Sequence, residues 1–127
     1  MTETNYEYII HDGKKIQVDS AIRDGDGYRI STTYPKKVDI RAKPGNKKIL
    51  KVIHGLDNAP SAVSLYQVHK HLNPSYPDTS DEQYTESFEM IGADISVTDI
   101  DITITFKELP PVDPVSNELE LLVRSLI

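Results

Sequence analysis

At 127 residues the chain has the size of one ordinary domain, and folding removes roughly two-thirds of such a chain's extended surface from water. An apolar share of 38%, no Trp, two Phe and eight Pro describe a thin core, as in a small all-β unit or a subunit that completes its burial in an oligomer. The absence of cysteine excludes a disulfide framework and any thiolate metal site. The opening MTETNYEY lacks a basic region followed by an apolar run, and no stretch reaches the ~20 apolar residues that a bilayer requires. The expectation is a soluble chain without a secretion signal.

The net charge of −6 is unevenly spread. Residues 14–51 hold eleven of the fourteen basic side chains against four acids, whereas residues 52–127 hold three basic and thirteen acidic ones. A basic front and an acidic back suit attraction between neighbouring subunits or to an acidic scaffold, and a solvated basic face is the plain alternative. Nucleic acid fits less well. The acidic remainder repels a polyanion, and no interleaving of aromatic and basic residues of the single-strand-binding type is present.

In chain order, Tyr6, Tyr8 and Ile10 alternate up to His11-Asp12-Gly13-Lys14, after which Ile16 and Val18 alternate again. Asp-Gly between alternating runs predicts a hairpin. Asp24-Gly25-Asp26-Gly27 predicts a second turn, followed by Tyr28, Ile30 and Thr32 at period two. Val38, Ile40 and Ala42 then alternate up to the Pro44-Gly45 turn, and residues 49–53 and 62–68 read as strands on either side of a corner over residues 55–60. Residues 69–87 read as a long polar loop, a length that usually marks function or disorder. Ile95 and Val97 share one strand face, while Ile100, Ile102, Ile104 and Phe106 alternate at a phase shifted by one. Thr98-Asp99 is therefore read as a turn or bulge.

After Pro110-Pro111, Leu119, Leu122, Val123 and Leu126 fall at i, i+3, i+4 and i+7 behind a Ser116 or Asn117 cap. This predicts a short C-terminal helix with an apolar stripe. About ten residues do not make a stable isolated helix, so the stripe docks either on the chain's own sheet or on other copies. The fold expected is mainly β: a small antiparallel β-sandwich over residues 47–110, an extended N-terminal arm of short hairpins over residues 1–46, and a linker and helix over residues 111–127.

Two segments resemble a known group. KKILKVIHGLDNAPSAVSLYQV (residues 47–68) and GADISVTDIDITITFKEL (residues 92–109) are similar to the small terminal sandwich modules of bacteriophage tail-fibre and head-fibre proteins. AIRDGDGYRISTTYPKK (residues 21–37) resembles fibre linker repeats, with Pro35 where those repeats usually carry Ala. The resemblance spans roughly half the chain. It implies a virion structural protein, often trimeric, that builds contacts with itself and with capsid or tail proteins and displays a host-recognition or decorating surface.

Candidate chemistry is sparse. His69 and His71, two apart on a strand, would share a face, and in a trimer six imidazoles could surround one transition-metal ion on the threefold axis; an exposed His pair is the plain alternative. His54 could pair with Asp57 and Ser61 in a hydrolytic arrangement, but no nucleophile motif accompanies it, and a ring that closes the corner on the backbone is the simpler reading. Asp24 and Asp26 lack the further ligands of a calcium loop. Tyr66, Tyr76 and Tyr84, read as belonging to or flanking the 69–87 loop, could stack on sugar rings or on a partner protein. The reading is a non-enzymatic virion subunit that assembles through Leu119, Leu122, Val123 and Leu126. The alternative is a receptor- or carbohydrate-binding module acting through the loop.

Overall fold

The computed structural model describes residues 7–11, 14–18, 23–30, 37–72 and 84–126. These residues form antiparallel β-strands and contain no helix. The strands are β1 (Glu7–His11), β2 (Lys14–Val18), β3 (Arg23–Asp24), β4 (Gly27–Ile30), β5 (Lys37–Ala42), β6 (Ile49–Ile53), β7 (Ala62–Leu72), β8 (Tyr84–Met90), β9 (Asp94–Val97), β10 (Asp101–Thr105) and β11 (Leu121–Leu126). Strands β1 and β2 pair as a separate hairpin whose ends, His11 and Lys14, flank the Asp-Gly pair. A three-stranded sheet runs in the order β6-β10-β9, and a six-stranded sheet in the order β3-β4-β5-β11-β7-β8. The larger sheet thus draws strands from all three of the expected segments, residues 1–46, 47–110 and 111–127.

Period-two alternation decides which side chains meet. Leu50 and Val52 of β6 and Ile102 and Ile104 of β10 point to one face, and Ile40 of β5, Leu65 of β7 and Leu121 and Val123 of β11 point to one face of the larger sheet. With Phe106 and Leu119 they form a single buried cluster to which both sheets contribute. Between β9 and β10 the alternation slips by one residue because the chain turns. The Thr98 N–H donates to the Asp101 carbonyl over 2.9 Å, and the Thr98 hydroxyl accepts the N–H groups of Ile100 and Asp101 at 3.1 and 2.9 Å.

A second turn ties the two sheets together. Gly25 bridges to Val52, and the Asp26 N–H donates to the Lys51 carbonyl at 3.0 Å, which sets β3 and β4 against the margin of β6. Gly25 has φ +60°, and a Cβ there would collide with the Lys51 carbonyl oxygen, so both backbone conformation and closeness require glycine.

Two expectations are corrected. The expected C-terminal helix is a strand: β11 lies in the middle of the larger sheet, paired with β5 on one side and β7 on the other. Ladder bonds on both flanks outweigh the marginal stability of a ten-residue helix, and a run such as Leu119-Glu-Leu-Leu-Val suits a strand covered on both faces. The stripe Leu119, Leu122, Val123, Leu126 is accordingly split. Leu119 and Val123 join the shared core, Leu122 is buried on the opposite face, and Leu126 is 43% exposed. The expected loop 69–87 is also shorter, because β7 continues to Leu72 and β8 starts at Tyr84, with Leu72 opposite Tyr84 and His69 opposite Ser87. Its polar residues could pair because antiparallel strands tolerate a wet side.

Strand pairing and helix stripe make opposite predictions about β11. Leu121→Ala, outside the helical stripe but fully buried, should cost about 2–5 kcal/mol, whereas Leu126→Ala should stay within about 0.5 kcal/mol, both measured by urea unfolding.

Candidate functional site

Part of the core-averted face of the larger sheet is itself buried, and it carries charge. Along β5, Asp39 and Arg41 alternate with Ile40 and Ala42 and so point away from the shared core, yet both are almost fully buried. Arg41 places Nη1 and Nη2 on the two Glu86 carboxylate oxygens at 3.0 and 2.8 Å, while its Nε donates to Glu120 at 2.7 Å. Nη2 also contacts the same Glu120 oxygen. One guanidinium therefore joins β5, β8 and the residue that leads into β11. Burial acts to lower the Arg41 pKa, but the hydrogen bonds and charges of Glu86 and Glu120 outweigh it and raise the value.

A second fork lies alongside. Arg124 of β11 donates Nε and Nη2 to the two oxygens of Asp39 at 2.8 and 3.0 Å, and the Lys37 ammonium stands 3.5 Å from the same carboxylate. The Arg124 guanidinium also sits 5.9 Å from the centroid of the Tyr66 ring, within cation–π range. Tyr66 is thus a half-buried mid-strand residue of β7 rather than part of a loop. Tyr76 lies outside the described residues, and for Tyr84 the structure gives its pairing with Leu72.

His69 and His71 do share one side of β7, as alternation requires. Their rings are engaged separately. His71 Nε2 lies 2.7 Å from the Ser87 hydroxyl, and His69 lies between two carboxylates, with Nδ1 3.6 Å from Asp113 Oδ1 and Nε2 3.5 Å from Glu89 Oε1. Among the described residues no group of three or more His, Cys, Asp or Glu side chains is arranged to hold a metal ion.

Asp113 organises the approach to β11. Its Oδ2 accepts the Ser116 N–H and hydroxyl at 3.0 and 3.1 Å, its N–H donates to the Glu118 carbonyl at 2.9 Å, and its carbonyl accepts the Asn117 N–H at 2.7 Å. Burial acts to raise the Asp113 pKa, but bonds from the Ser116 N–H and hydroxyl, the Lys70 N–H and the His69 ring outweigh it and hold the carboxyl below its usual range. Asp26 is lowered as well, by the Lys51 N–H and then by the Lys47 ammonium, at 3.0 and 2.9 Å. The Asp-Gly-Asp-Gly motif therefore splints a turn.

His54 is fully buried at the corner after β6. Its Nδ1 accepts the Leu56 N–H at 3.0 Å, so Nε2 carries the proton and donates it to the Thr98 carbonyl at 2.9 Å. Next to it Gly55 has φ +68°, and the Arg29 guanidinium occupies the space that a side chain would fill. The ring fastens the corner to the β9–β10 turn, as the simpler reading of His54 has it. The charged forks were not legible in this way, because their partners stand 45, 79 and 85 residues apart in sequence. The Asp113 turn was missed, with Ser116 or Asn117 read as a helix cap, although an Asp three residues before Ser, with Pro between, is a side-chain-capped turn signal.

No family model, curated protein or solved structure matches this chain.

Arg41→Ala strands two buried carboxylates and should cost about 3–5 kcal/mol in chemical denaturation, with much of the loss recovered by adding Glu86→Gln and Glu120→Gln. Acid gives an independent measurement. Asp26 and Asp113 are both depressed in the folded state, so their contribution is complete above the unfolded aspartate value of about 3.9 and is lost as pH falls through the lower folded values. Denaturation midpoints should decline below about pH 4, and less steeply in Asp26→Asn and Asp113→Asn.

Proposed function

We propose that the chain is a non-enzymatic virion structural protein, a head fibre, decoration or tail-associated subunit of a bacteriophage, that works by contacts with copies of itself and with other virion proteins. One observation carries this reading. The buried side chains of Asp39, Arg41, His54, Glu86, Asp113 and Glu120 are each engaged in joining strands, a corner or a turn. Interior polar chemistry here goes into holding sheets together, as suits a building module, where a catalytic centre would converge such groups on a cleft.

The placement of the resembling segments supports the same reading. Residues 47–68 and 92–109 supply all three strands of the smaller sheet and most of β7, strands whose apolar side chains meet in the shared core. Apolar side chains left outside the core, Ile49 and Ile100 among them, provide contact surface for further subunits.

Purified chain should sediment as a homo-oligomer, a trimer on this reading, and antibodies raised against it should decorate phage particles in immunogold electron microscopy. A monomer at all concentrations, together with unlabelled particles, would overturn the proposal.

A further inference from the structure

Strand β11 is the central strand of the larger sheet, yet it is tied to the preceding strands through the 106–120 segment alone. Its lateral contacts are to β5 and β7, through registers that join Val123 to Ile40 and Leu65, and Ser125 to Val38 and Val63. These contacts do not depend on which copy of the chain supplies the strand. A β11 from a second molecule would make the same ladder bonds, bury the same Leu121 and Val123, and place Arg124 on Asp39 as before.

The connecting segment has the character of a hinge. Pro110-Pro111 holds it extended and away from compact turns. Gln67 Nε2 donates to the Pro111 carbonyl at 2.8 Å, and beyond it the segment folds back through one turn, latched by Asp113 through Ser116, Asn117 and Glu118. In that turn Asn117 has φ 57°, the sole left-handed non-glycine residue among those described. Val112 and Val115 on the same segment are 52% and 40% exposed, so the folded-back form leaves apolar surface uncovered. Opening the latch straightens the segment, releases Asn117 from its left-handed conformation and carries β11 outward to a neighbour.

We propose that β11 is exchanged between copies, the middle strand of one molecule's six-stranded sheet being supplied by another. This deepens the self-assembly part of the function proposed above by naming the element that passes between subunits. Cysteine is absent from the chain, so introduced thiols report the exchange without background. Val63 and Ser125 face each other across β7 and β11. Chains carrying Val63→Cys and differently tagged chains carrying Ser125→Cys are coexpressed and oxidised, and the products are separated without reductant.

A disulfide-linked heterodimer is the expected product, and Asp113→Ala in both chains should raise its yield several-fold. The reference is the double variant Val63→Cys/Ser125→Cys, expressed alone and assayed dilute, which shows that the pair can be bridged; if it forms no bond, Leu65→Cys with Val123→Cys replaces it in both arms. No heterodimer, with and without Asp113→Ala, from a pair that does bridge in the double variant would overturn the exchange. That failure leaves sedimentation and particle labelling unaffected, so it is distinguishable from failure of the virion reading.

Discussion

The structure depends on the insertion of one strand between two others. Remove β11 and the larger sheet falls into β3-β4-β5 and β7-β8, the shared core loses Leu121 and Val123, and the Asp39 fork loses its arginine. Side chains on both faces of that strand are buried, which explains why its sequence alternates poorly and why hydrophobic period alone suggests a helix there. Long-range pairing of this kind gains its free energy late, once the flanking strands are already positioned.

Charge plays an unusual part in a core this thin. The larger sheet buries ionic forks on the face turned away from the hydrophobic cluster, Arg41 with Glu86 and Glu120 and Arg124 with Asp39. Burying such pairs offsets much of their attraction through desolvation, so they add little to net stability relative to a well-packed apolar face. What they supply is geometry. A two-pronged fork is satisfied in one register only, and a one-residue slip of β11 against β5 would move Arg124 to the other face of the sheet. Register is thereby fixed where a chain with few large apolar residues has least other means of fixing it.

Local signals were legible and distant ones were not. The hairpin flanking Asp12-Gly13, the turn at Gly25-Asp26, the slip at Thr98 and the bond from the Leu56 N–H to the His54 ring all follow from neighbours within a few residues. Strands β9 and β10 follow from alternation of Ile and Val with polar residues. Residues 69–72 and 84–87 failed as strands in the sequence because their side chains are polar, and their pairing is decided by the partner strand. Asp39 and Arg41 look like the wet side of β5 until Glu86, Glu120 and Arg124 are brought to them from the far half of the chain.

The two margins of the smaller sheet are unequal. In the middle of β6 both the N–H and the carbonyl of Lys51 are already taken by Asp26, whereas β9 pairs with β10 and, among the described residues, with no strand on its other side. A sheet blocked on one flank extends in one direction only. Were two molecules to join along β9, each smaller sheet would use up its one receptive border, and growth along that sheet would halt at a closed pair instead of running on into a fibril.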